Sequence, residues 1–265
     1  MFNVMKAQLY QTVRHNFLYY VIFALLCIFI VPELVSMDPD MRDDMCGSLA
    51  LMLYSESVPL AGTLIALLLT TYICGTDQTD HTMNYEIMNG TRRSAVYLGR
   101  VCASLLICLA AAGIVIALPV LIASLIGGWG PCVTAQDALL RCLSALAPFI
   151  RCVAFFAFMT FLIGNGRLAM VINILITFIG TMVYSIMDAM NFDLPFWEHY
   201  TGLSSGSALF DMSNKRLSYV GDKAYWIVGE VLERRHGMQI VLVSLGVSAV
   251  ILAAGLLLFR RKDLK

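Results

Sequence analysis

The stretch VCASLLICLAAAGIVIALPVLIASLI, Val101 to Ile126, contains no charged residue. It exceeds the roughly 20 residues that carry a helix across a bilayer core. Five further apolar runs accompany it: Phe17–Val35, Val58–Cys74, Leu143–Ile163, Leu168–Ile186 and Met238–Phe259. Soluble domains average about 25% charged residues, whereas this chain has 14%. In lipid every backbone N–H and C=O must be satisfied internally, and the alternation that marks a membrane barrel is weak here. The sequence therefore predicts an all-α fold, a single polytopic membrane domain over 1–265 with six transmembrane helices. No room is left for a separate soluble domain. The first run follows a polar, patterned start and ends near Pro32-Glu33-Leu34 without a small-residue cleavage site, so it reads as a retained span.

Lys and Arg placement sets the expected orientation. With both termini inside, the inner segments carry Lys6, Arg14, Arg92, Arg93, Arg100, Arg167, Arg260, Arg261, Lys262 and Lys265. The two short outer loops carry only Arg42 and Arg141. The long outer segment 188–236 holds five basic residues, offset by seven acidic ones. N-in, C-in is the better assignment.

Several segments between the spans are patterned. Phe2, Met5, Leu9 and Val13 recur at helical spacing with Lys6, Gln8, Gln11 and Arg14 between them, which predicts an amphipathic interfacial helix within 1–16. Segment 36–56 is acidic, with Met37, Met41 and Met45 on one helical face. A short interfacial helix burying its methionines is favoured there over a copper site. Segment 188–236 is rich in aromatic residues, among them Trp197, Tyr200 and Trp226, and short helices on or in the outer leaflet are expected. The eight cysteines include no CxxC pair, so no zinc or redox motif is indicated. Most read as small buried hydrophobes. Cys46 and Cys132 both fall outside, and a bridge between them depends on their separation in the fold.

Two lookalikes fail. Gly202-Leu203-Ser204-Ser205-Gly206 fits the G-x-S-x-G pattern, but the motif needs a strand–turn–helix context that a helical chain lacks. The same residues faintly resemble an ATPase signature, yet no G-x-x-x-x-G-K-[ST] loop exists to hold ATP. Arg151 lies midway along the fourth run. An ionised group near the bilayer centre costs at least about 2.5 kcal/mol on insertion scales. Either it faces a cavity, or the helix starts late, near Pro148, and Arg151 snorkels outward. Asn173 and Thr177, one turn apart, either extend a polar face or make interhelical hydrogen bonds.

The most informative segment is Gly75 to Arg100, GTDQTDHTMNYEIMNGTRRSAVYLGR, between the second and third runs. Thr79 to Met88 can form a short helix ending at Asn89-Gly90. Thr91 or Ser94 could cap a second helix leading through Tyr97 and Arg100 into the third span. Asp77, then Thr82-Met83-Asn84-Tyr85-Glu86, Gly90, Arg92-Arg93-Ser94 and Tyr97-Leu98-Gly99-Arg100 resemble the loop of type-2 ABC exporter permeases, small bacterial ones above all. Arg100 stands where that family commonly has lysine, and the arginines precede Ser94 rather than follow it.

The resemblance implies a permease subunit in a bacterial plasma membrane, with no catalytic residues of its own. It implies partners too: separate ABC ATPase subunits, which bind ATP and Mg, and a second permease chain, identical or not. Residues 75–100 would be the coupling loop, with Thr79, His81, Thr82, Tyr85, Glu86, Met88, Arg92 and Arg93 meeting the ATPase. Residues 1–16 would be the connecting helix and 188–236 an outer re-entrant segment. Arg151, Asn173 and Thr177 would line the substrate pathway. Exported peptides such as bacteriocins or lantibiotics, drugs or lipids are the substrate classes expected. No metal, cofactor or nucleic acid is expected on this chain. The alternatives are an ATP-independent transporter or channel, which leaves the loop 75–100 without a role, and a membrane-embedded enzyme, for which only Arg151 is deep and ionisable.

Overall fold

The computed structural model describes residues 2–14, 16–36, 46–55, 57–79, 86–190, 215–220, 223–228 and 234–261, together with Ser207, Leu209, Phe210 and Met212. The helices are α1 (Phe2–Arg14), α2 (Asn16–Ser36), α3 (Gly47–Tyr54), α4 (Val58–Thr79), α5 (Arg93–Gly127), α6 (Ala135–Ile163), α7 (Gly166–Ala189) and α8 (Arg234–Arg261). Five of these, α4 to α8, are long and apolar enough to cross a membrane. Helices α1 and α2 meet at 63°, and counting that bent pair as one crossing gives six.

Helix α4 is the axis of the bundle. It packs on α5, α6 and α7, and 72% of its apolar window is inside the protein, against 11% for α7. Ile65, Ala66, Leu67 and Leu69 of α4 are fully buried with Ile107 and Cys108 of α5 and Val153 and Phe156 of α6. On α7, Val171, Leu175, Phe178 and Met182 instead face outward, a stripe at helical spacing that suits hydrocarbon. The chain alternates direction through the bundle. Gly75 near the end of α4 meets Gly166 at the start of α7. Tyr97 near the start of α5 meets Phe161 and Phe259 near the ends of α6 and α8, and Phe17 at the start of α2 stacks on Tyr72 at 4.2 Å. Both ends of the described chain thus lie at the end of the bundle that carries the loop 75–100.

Two expectations change, at the start of α6 and in the segment before α8, while α1 keeps the amphipathic form expected of it. Helix α6 begins at Ala135, eight positions before the apolar run, because its polar first turns satisfy themselves. Thr134 accepts from the Asp137 amide at 3.3 Å, Arg141 Nε donates to Asp137 Oδ2 at 2.8 Å, and Arg141 Nη1 donates to the Leu209 carbonyl at 2.8 Å. Within the outer segment Lys215–Val220 (β1) and Lys223–Val228 (β2) are strands, not helices, and pair antiparallel with Leu217 opposite Trp226. Both strands are rich in β-branched and aromatic residues, Tyr219 and Val220 in β1 and Tyr225, Trp226, Ile227 and Val228 in β2, the residue types that favour a pleated sheet. Helix α1 turns Val4, Gln8 and Thr12 inward, while Phe2 and Val13 are exposed and Met5 and Leu9 half-buried. Its apolar stripe therefore lies to the side of the face that packs on the protein, which is the arrangement a helix at a lipid interface needs.

Met37, Met41 and Met45 of the acidic outer segment lie outside the described residues, as does the Ser204 lookalike. Helix α3, which follows them, is not a surface helix; Gly47 to Met52 and Tyr54 are all buried.

Candidate functional site

The site is the end of the bundle where the loop 75–100 leaves α4 and re-enters as α5. Helix α4 runs past the apolar stretch to Thr79, so Thr79 closes the second span instead of opening a separate helix. Residues 80–85, which include His81, Thr82 and Tyr85, lie outside the described residues. Glu86 to Met88 form one helical turn. It ends as the sequence predicts: Gly90 takes φ +87°, its amide donates to the Ile87 carbonyl at 3.0 Å, and the Thr91 amide donates to Glu86 at 3.2 Å. That pair of bonds is a Schellman closure, which favours glycine at the left-handed position.

Neither Thr91 nor Ser94 caps α5. The N-cap is Arg92, whose side chain makes no capping bond, and Ser94 already lies inside the helix. The two arginines are used otherwise. Arg93 Nη1 donates to the Arg260 carbonyl at 3.3 Å, placing a cation on the last turn of α8, where the helix dipole favours it. Arg92 is exposed.

Four contacts tie this loop to the bundle. Arg100 has no exposed surface, and its Nη2 donates to Glu86 Oε2 at 3.2 Å. The glycines Gly75 and Gly166 bring α4 and the α6–α7 turn together backbone to backbone, so close that a Cβ on Gly75 would stand 2.6 Å from Gly166 Cα. Tyr97 is fully buried, with ring centroids 4.8 Å from Phe161 and 5.9 Å from Phe259, and its hydroxyl fills the space a side chain at Gly255 would take. The Arg93–Arg260 bond is the fourth. Beside them, Asn165 Oδ1 accepts from the Arg167 and Leu168 amides at 3.1 and 3.4 Å and caps α7, after Gly164 has closed α6 in the left-handed conformation. Met88, by contrast, is 80% exposed. The described part of the loop thus carries an exposed methionine on a tightly fixed base.

The residues expected on a pathway take these places in the helices. Asn173 Nδ2 donates to Thr71 Oγ1 of α4 at 3.0 Å, and Thr177 Oγ1 donates to the Asn173 carbonyl of its own helix at 2.8 Å. Asn173 is therefore an interhelical tie and Thr177 bonds back along its helix. Arg151 is 4% exposed in the middle of a helix that continues through Pro148, so the late start that would let it snorkel does not occur. A cavity of about 250 Å³ opens between α4, α5 and α6 toward the opposite end. Pro148, Phe149 and Cys152 line it while Arg151 does not. Sequence reasoning found the loop but missed the contacts of Gly75, Gly166 and Gly255, since a glycine carries no signal of what packs against it. Among the described residues no cluster could hold a metal ion.

No family model matches the chain, and no curated protein matches its sequence significantly.

Proposed function

We propose that the chain is the transmembrane permease subunit of an ATP-driven exporter of the type-2 ABC class, with ATP hydrolysis supplied by a separate chain. The observation that carries this reading is the Glu86–Arg100 pair. It links an exposed loop to a fully buried position at the foot of α5, so a push on the loop is delivered to a transmembrane helix. Gly75 against Gly166 and Tyr97 against Gly255 extend that path to α7 and α8. A bundle loop built only to connect two spans has no use for a base fixed at four points.

On this reading the loop end faces the cytoplasm and the α3 end faces outward, in keeping with the Lys and Arg distribution. Residues 79–88, 92 and 93 meet the ATPase, α1 lies in the inner interface, and the outward apolar stripe of α7 is available to lipid or to a second permease. Peptides, drugs or lipids remain the substrate classes that fit, expelled through a bacterial plasma membrane. The test is ATP-driven export in vesicles carrying Glu86→Ala together with Tyr85→Ala. Loss of transport with normal membrane insertion supports the assignment; undiminished transport refutes it.

A further inference from the structure

At the end of the bundle opposite the loop, two cysteines from distant parts of the chain arrive at one place. Cys46 is the N-cap of α3 and Cys132 lies in the turn between α5 and α6. Their segments are stitched together by the backbone. The Gly47 amide donates to the Gly128 carbonyl at 2.9 Å, and the Ser48 amide donates to the Trp129 carbonyl at 2.7 Å. The Cys132 amide donates to Ser48 Oγ at 3.2 Å, and Trp129 Nε1 donates to the Val133 carbonyl at 2.7 Å. Gly130, two residues before Cys132 and at φ +81°, lies so close to α3 that a Cβ there would collide with Cys46 Sγ.

The two cysteines meet at Ser48. Its Oγ lies 3.6 Å from Cys46 Sγ and accepts from the Cys132 amide at 3.2 Å, and both cysteines belong to one buried cluster. They are 4% and 1% exposed and unbridged. A solitary buried cysteine such as Cys74 is adequately explained as a small hydrophobe. Two thiols converging from segments that the backbone holds in register are not.

We propose that Cys46 and Cys132 are a bridge-forming pair, closed by a disulfide-type oxidant on the outer side to lock α3 onto the α5–α6 turn. In the reaction one cysteine thiolate attacks a sulfur of the oxidant RS–SR, forming a mixed disulfide and releasing one RS⁻. The second cysteine thiolate then attacks the mixed disulfide, forming the Cys46–Cys132 bond and releasing the other RS⁻. Two electrons pass to the oxidant, and the two thiol protons end on its two thiols. Burial pushes the Cys132 thiol up to about 11, so closure in the folded protein is slow at neutral pH and quickens as pH rises. The outer, oxidising location rests on the orientation proposed above.

The test counts thiols in the full chain. The detergent-solubilised protein is treated with oxidised glutathione, denatured, and labelled with a mass-tagged maleimide. Of eight cysteines, six should label after oxidation and eight after reduction, with a Cys46–Cys132 linked peptide in the digest. Cys46→Ser and Cys132→Ser should each abolish the linked peptide, and Cys74→Ser should leave it. Eight labelled thiols after oxidation, or a linked peptide joining other cysteines, overturns the pair. The same oxidation is then repeated on intact cells with a membrane-impermeant oxidant. Closure there supports the outer placement; a bridge that forms in detergent but not in cells overturns that placement while leaving the geometry standing.

Discussion

Arg100 Nη2 donates to Glu86 Oε2 at 3.2 Å across the turn at Asn89-Gly90, joining a half-buried carboxylate to a guanidinium with no solvent exposure. The carboxylate stands 31% exposed, so the link is neither a surface ion pair nor a sealed one.

Glu86→Gln keeps the shape of the side chain and removes its charge. It should destabilise the protein by about 1–3 kcal/mol, below the 3–5 typical of breaking a fully buried pair, because water reaches Glu86. Thermal unfolding in detergent measures this. Transport should fall more than unfolding accounts for, and Arg100→Lys should restore less than half of the linkage, since one ammonium cannot reproduce the guanidinium fork.

Gly75→Ala should disrupt the bundle, because the added methyl would stand 2.6 Å from the backbone of Gly166 and neither helix end can yield without moving the other. Gly166→Ala should behave alike. Gly180→Ala and Gly246→Ala have open space around the new Cβ and should be neutral or slightly stabilising, as alanine is in a helix. Size-exclusion profiles of the four variants check the contrast; equal behaviour would remove the close approach from the account.

Gly255→Ala drives a methyl into the Tyr97 hydroxyl. Tyr97→Phe deletes that hydroxyl, which finds no hydrogen-bond partner among the described residues, and should cost little alone. The double variant should recover most of the stability lost by Gly255→Ala, a coupling of about 1 kcal/mol or more in a double-mutant cycle. Additive losses would mean that the two helices do not meet there.

Asn173→Ala removes the tie to Thr71 across α4 and α7. The expected loss is about 0.6 kcal/mol, the average for such bonds in membranes, with transport kinetics unchanged. A changed substrate profile would return Asn173 to the pathway.

The spans were legible because a charge-free run of the length of Val101–Ile126 has few other uses, and the Asn89-Gly90 stop because only a left-handed residue closes that turn. The start of α6 was not, since its extent depends on Asp137 and Arg141 cancelling each other on one helical face, which apolar runs do not register. The hairpin was written in the β-branched and aromatic residues of KRLSYV and KAYWIV on either side of Gly221-Asp222, but the helical character of the rest of the chain outweighed it. For the site, Glu86 and Arg100 stood out as charges, whereas their pairing, and the three glycines against which α4, α6, α7 and α8 close, are facts of three-dimensional approach.

The most direct measurement is photo-crosslinking from position 88 in native membranes, with mass spectrometry of the captured chain. Met88 is an exposed residue of the loop and Leu125, comparably exposed, lies near the far end of α5. The permease assignment predicts that a crosslinker at 88 captures an ATP-binding subunit and that one at 125 does not. Capture of no nucleotide-binding protein from 88, in membranes that still transport, would contradict it and favour a transporter that runs without ATP.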